Sequence, residues 1–170
     1  MNDYKITQEV KRKSKPFTKL LSILMVVLAV VFVCFAIIFD TGLMLPAFLF
    51  AVLYYIFSIQ TDKEYEYTLE NGILTIDVIR GKRSRKTVHT LNMKDMEVTA
   101  PNWHDAVAQY RKNGGTVKLP KYDYTSYDDD VPYYTMIVME KRQKIKLLLD
   151  LSSEMLDAIK RVYPQKVYLQ

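Results

Sequence analysis

Asp128, Asp129 and Asp130 are three adjacent hard oxygen donors, the ligand type that calcium and magnesium take. A calcium loop spaces its ligands around a turn that needs a glycine, whereas these three run straight into Val131-Pro132. They read as a solvated loop. His89 and His104 are the two histidines, fifteen positions apart, with no ligand pattern beside either. His104 is expected on the surface of a helix's first turn. Cys34 is the one cysteine, so a cysteine zinc cluster and an intramolecular disulfide are both excluded. No glycine-rich phosphate loop, nucleophile elbow or zincin motif is present. No catalytic residue, cofactor or metal is therefore assigned.

Two clusters could instead carry binding. Arg80, Lys82, Arg83, Arg85 and Lys86 place five positive charges within seven residues at a hairpin turn. Anionic lipid headgroups would attract them at about 1 kcal/mol per basic residue near a membrane surface, and the simpler reading is a charged turn kept in water. Tyr122, Tyr124 and Tyr127, with Tyr133 and Tyr134, crowd a stretch that also holds Lys118 and Lys121. Aromatics interleaved with lysines can stack single-stranded nucleic acid, but a core edge or protein-binding patch is the expected outcome. Nucleic acid is not expected as a partner, although the net charge is +5. That excess concentrates in residues 1–19, where six Lys/Arg face only Asp3 and Glu9.

The elements that position these clusters begin with two apolar runs. Residues 20–39 and 43–59 contain no charged side chain. A helix of twenty residues at about 1.5 Å per residue spans roughly 30 Å, the hydrocarbon thickness of a bilayer. Pro46 falls in the first turn of the second run, where its missing N–H costs nothing, and Tyr54 and Tyr55 suit an interfacial belt. A cleaved signal peptide is disfavoured because the first run is too long, lacks a small-residue cleavage site and is followed at once by a second run. Asp40-Thr41-Gly42 is the whole connection, so the runs form an antiparallel hairpin. The basic flank at residues 1–19 then predicts both termini on the cytoplasmic side. Ser22, Cys34 and Ser58 are too sparse to line a polar pathway.

Residues 61–170 read as a β-rich cytoplasmic domain, with 1–19 a basic tail and 20–60 the membrane hairpin. Residues 64–69 alternate polar with apolar, and Asn71-Gly72 is a strong hairpin signal. Strands are expected at 73–80, 83–91, 96–100, 133–140 and 144–150, and a short helix at 102–112 capped by Asn102. Residues 153–163 form an amphipathic helix whose apolar face holds Met155, Leu156, Ile159, Val162 and Tyr163. Glu154 and Asp157 early, and Lys160 and Arg161 late, complement its dipole.

A curved antiparallel meander closed by a C-terminal helix resembles the pleckstrin-homology-like (PH-like) barrel of bacterial membrane proteins. The run from Tyr65 through Asn71-Gly72 to Asp77, then Arg83-Ser84-Arg85-Lys86, looks like an uncharacterised bacterial family of two-span membrane proteins. Ala100-Pro101, Asp123-Tyr124-Thr125-Ser126 and the closing Met155-Leu156 to Lys166-Val167 carry the same likeness. The resemblance implies a membrane α-hairpin plus an α+β domain, with an antiparallel barrel or sandwich of six to seven strands and the helix at 102–112 inserted. Phosphoinositide binding is not implied, because the first hairpin loop, Glu70-Asn71-Gly72, is tight and acidic. The expected function is a non-enzymatic interaction or scaffold module in the cytoplasmic membrane, contacting the bilayer and a protein partner. The alternatives are an enzyme acting on a lipid or envelope precursor, and an accessory subunit of a larger membrane complex.

Overall fold

A computed structural model of the protein describes residues 5–14, 16–81, 84–111 and 114–169. The chain forms two compact units. One comprises Lys13–Lys63 with Arg80–Ser84, and the other Met1–Arg12, Glu64–Ile79 and Arg85–Gln170.

The first unit is built on helices α1 (Pro16–Ile38) and α2 (Met44–Thr61). Pro16 opens α1, where its fixed φ suits the first turn. Both helices are long and apolar enough to cross a membrane. Asp40 ends the first helical stretch by turning its carboxylate onto the Gly42 N–H (3.0 Å), which closes a 3-10 turn at Thr41–Leu43. Side chains such as Ile37, Leu45 and Phe48 stand about three-quarters exposed on the pair. Ala36 and Ala47 are the buried ones, small enough for two backbones to approach closely. Phe32 stacks on Phe50 at 5.7 Å between ring centres.

Among the described residues the second unit holds eight strands in two four-stranded sheets, against the six to seven read from the sequence. In the first sheet the order is β1 (Lys5–Lys11), β2 (Lys63–Glu70), β3 (Ile73–Arg80) and β4 (Ser84–Asn92). In the second it is β5 (Met96–Pro101), β7 (Tyr134–Glu140), β8 (Gln143–Leu149) and β6 (Lys121–Asp123), the last running parallel to β8. Asn71 and Gly72 both take positive φ, as the β2–β3 hairpin requires. Alternation puts Tyr65, Tyr67 and Leu69 of β2 and Leu74, Ile76 and Val78 of β3 into a core. Met136 and Val138 of β7 and Ile145, Leu147 and Leu149 of β8 complete it beneath α3 (Ser153–Val162). The second sheet is also covered on its other face, where Val98, Ala100 and Ile137 meet Val107 and Tyr110.

Four expectations are corrected. The segment read as a tail contains β1, whose Ile6 and Val10 are buried and whose Lys11 pairs in register with Glu64. Its alternation rests on only two apolar residues, and its lysines suit an outer strand that must not recruit another chain. Strand β6 is absent from the expected strands because its three residues carry too little pattern. The inserted element is a 3-10 helix at Asp105–Tyr110, capped by His104 Nδ1, which accepts the Ala106 N–H at 3.1 Å. Asn102 instead accepts a hydrogen bond from Thr135 (3.3 Å), and Lys112 lies outside the described residues. Finally, Val162 is 64 % exposed, so the buried face of α3 is the narrower Met155, Leu156 and Ile159.

Candidate functional site

The inward period of β1 continues past its end: Ile6, Gln8, Val10 and Arg12 point the same way. Gln8 donates from Nε2 to the Asp150 carbonyl (2.6 Å) and accepts from the Ser152 N–H (2.8 Å). Arg12 donates from Nε to the Thr125 carbonyl (3.2 Å) and from Nη2 to the carbonyl and carboxylate of Asp123. Its guanidinium also lies over the rings of Tyr65 (4.8 Å) and Tyr127 (4.3 Å). Gln8 ties β1 to the connection between β8 and α3, and Arg12 staples the loop after β6 to the first sheet. Asp150, buried at the end of β8, accepts the Ser126 N–H at 2.7 Å and holds the same loop from beneath.

The stapled loop walls a cleft of about 400 Å³. Trp103, Tyr127 and Tyr133 give it aromatic surface, and Asp123, Asp128, Asp129 and Asp150 surround it with carboxylates against one lysine, Lys121. Lys121 is committed to Asp123 at 3.5 Å. Tyr127 is held at φ 58°, a left-handed conformation that costs a non-glycine residue of order 1 kcal/mol. Partial burial, with the nearby Asp123 charge, pushes the Tyr133 hydroxyl above its ordinary pKa.

Of the tyrosines expected as one patch, Tyr122 and Tyr124, two positions apart, both meet the His89 ring, while Tyr127 lies beyond the strand. Tyr127 faces the cleft, whereas Tyr122 meets the ring of His89 edge-on at 4.7 Å. Tyr124 is buried in the main core, and its carbonyl accepts the Tyr67 hydroxyl at 2.6 Å. Burial, and the neighbouring Tyr122 and Tyr65, push the Tyr124 hydroxyl up to about 12. His89, which suggested nothing in the sequence, is buried with Nδ1 3.0 Å from both carboxylate oxygens of Glu140, while its Nε2 has no hydrogen-bond partner. That pairing of β4 with the end of β7 has no local sequence signal.

Lys82 and Arg83 lie outside the described residues. Arg85 is turned onto the first sheet, where it pairs with Glu66 of β2 and with Asp77 of β3 at 3.0 Å. Arg80 and Lys86 are exposed. Gly81 is packed on the end of α2: its N–H donates to the Asp62 carbonyl (3.2 Å), and a Cβ there would stand 3.2 Å from Ile59. Among the described residues no group of three or more His, Cys, Asp or Glu could hold a metal ion.

Two antiparallel-rich sheets, a C-terminal helix and a pair of long apolar helices are the parts that a two-span PH-like protein needs. A family model described as Bacterial PH-like domain (DUF6106) matches residues 2–169. The chain belongs to this family of bacterial PH-like domains, and the match takes in the apolar helices as well as the sheets. No curated protein and no solved structure matches it.

Proposed function

We propose that the protein is a non-enzymatic, membrane-anchored interaction module, its PH-like unit held at the cytoplasmic face of the plasma membrane by the hairpin α1–α2. The observation that carries this reading is the exposed apolar surface of both helices, from Leu20 and Ile23 to Leu45 and Phe48. A contiguous apolar surface of that size is stable only against lipid or another protein. The basic flank argues for a cytoplasmic location of the termini. The strongly raised hydroxyls, Tyr67 and Tyr124, are buried within the core rather than converging on an open site, which favours binding over catalysis.

The packing of Gly81 against the end of α2 supports a headgroup role for the basic turn. Arg80, Lys82, Arg83 and Lys86 are the candidates, and Arg85 is excluded from the set because two carboxylates already neutralise it. Purification in mild detergent, followed by mass spectrometry of retained lipid and protein, tests both levels. The full chain should retain anionic phospholipid and at least one protein partner. Changing Arg80, Lys82, Arg83 and Lys86 to serine should deplete the lipid. Release of the chain from membranes by high salt without detergent would refute the anchor.

A further inference from the structure

The cleft beside the loop after β6 carries a feature that the fold itself does not need. Trp103, the only tryptophan, stands 61 % exposed at its mouth. A large aromatic left in water on a PH-like unit has no packing reason to be there. Around it stand four carboxylates against two cations, Arg12 and Lys121, both of them on Asp123, and the exposed Asp129 keeps the rim negative, so the cleft repels phosphate and attracts cations. Arg12 shows what the wall accepts. Its guanidinium is held by the Tyr127 ring at 4.3 Å and by Asp123, both of which also line the cleft.

We propose that this cleft receives a basic side chain, an arginine above all, from a short segment of a protein partner. The inference rests on the interaction-module reading and assigns it a surface. Guanidinium groups stack on tryptophan and tyrosine faces and pair with carboxylates, and Lys does so less well because it lacks the planar fork. Trp, Tyr and Arg are also the residues in which protein interfaces concentrate their binding energy, commonly paired across the contact. At about 400 Å³ the cleft has room for one or two side chains and not for a folded element. Asp129 is exposed at the rim and Asp128 half-buried beside it, where an entering guanidinium would meet them together with the indole of Trp103.

The single tryptophan gives a direct readout. The full chain, in nanodiscs of zwitterionic lipid so that the bilayer does not compete for cations, is titrated with a short arginine-containing peptide while Trp103 emission is followed. A matched peptide with citrulline in place of arginine keeps the shape and removes the charge. A saturable change is expected with arginine only. The apparent Kd should rise about tenfold in Asp129→Asn, and also as salt rises toward 1 M, where the Debye length falls to about 3 Å. An equal response to citrulline, no saturable change, or an unaltered Kd in Asp129→Asn each overturns the assignment. A free polyamine that displaces the peptide completely at equal concentration would also overturn it, in favour of a small-molecule cation site. Asp129→Asn should melt like the parent, which separates a binding loss from unfolding. A protein partner retained equally in detergent by this variant would refute the cleft and leave the module reading standing.

Discussion

Two arginines show how a charge is reassigned by its neighbours. Arg12 reads in the sequence as one of six basic residues flanking a membrane span, yet its guanidinium is built into the β unit between two tyrosine rings and two carbonyls. Charge-assisted hydrogen bonds contribute about 1.5–3 kcal/mol, so Arg12→Ala should lower the melting temperature of the full chain clearly, and Arg12→Lys should restore only part of it. Arg85 sits on the outer face of the first sheet between Glu66 and Asp77, whose side chains are mostly covered. Removing it leaves two carboxylates facing each other on neighbouring strands. Arg85→Ser is therefore expected to cost about 1–3 kcal/mol in thermal or denaturant unfolding, in contrast to the small cost of an exposed, unpaired charge. Glu97 gives a pH-dependent case. The Lys144 ammonium at 2.7 Å, with the Tyr110 hydroxyl at 2.9 Å, holds its carboxyl below the ordinary glutamate value of 4.5. A folded pKa below the unfolded one stabilises the fold above about pH 4.5, and that contribution is lost as pH falls through the lowered value. Melting curves of Glu97→Gln and the parent should differ near neutral pH and converge in acid.

Among the elements, β1 changes the most. It lies on the other side of the two apolar helices in the chain from its partner β2, and Lys11 is opposite Glu64. The helical hairpin is thus an insertion at the tip of an antiparallel β-hairpin. A chain beginning at residue 61 would lack β1, uncovering the edge of β2 and removing Ile6, Gln8, Val10 and Arg12 from their partners. That chain should aggregate or melt without cooperativity. Joining Arg12 to Lys63 through a short glycine-containing turn, in place of residues 13–62, should give a soluble, cooperatively melting unit. Circular dichroism and the dispersion of amide NMR signals would report the outcome, and a poorly folded spliced chain would show that the helices contribute to the β unit's stability.

At the scale of the whole molecule, insertion of the helical hairpin at the β1–β2 tip sets its two chain junctions beside the paired positions Lys11 and Glu64. If the hairpin spans the membrane with its short turn outside, a chain carrying Cys34→Ser and Thr41→Cys should react with an impermeant thiol reagent on intact cells. Asn2→Cys and Gln170→Cys should react only after lysis. Labelling of either terminus from outside would place the acidic cleft and the basic turn in the other compartment, and would reverse the proposed role.

Local pattern was sufficient where an element's own residues carry its signal. Uncharged runs of about twenty residues, Asn-Gly between alternating strands, and an apolar stripe with matched end charges marked α1, α2, the β2–β3 hairpin and α3. It was insufficient where the deciding partner is distant in sequence. β1 pairs across the whole helical insertion, β6 joins a parallel edge on three residues, and His89 finds Glu140 fifty-one positions away. The candidate site belongs to this second group. Asp123, Tyr127 and Asp129 look like an irregular polar loop until Arg12 and Asp150 pin it, because side-chain networks gain their energy from tertiary closure and leave no periodicity behind.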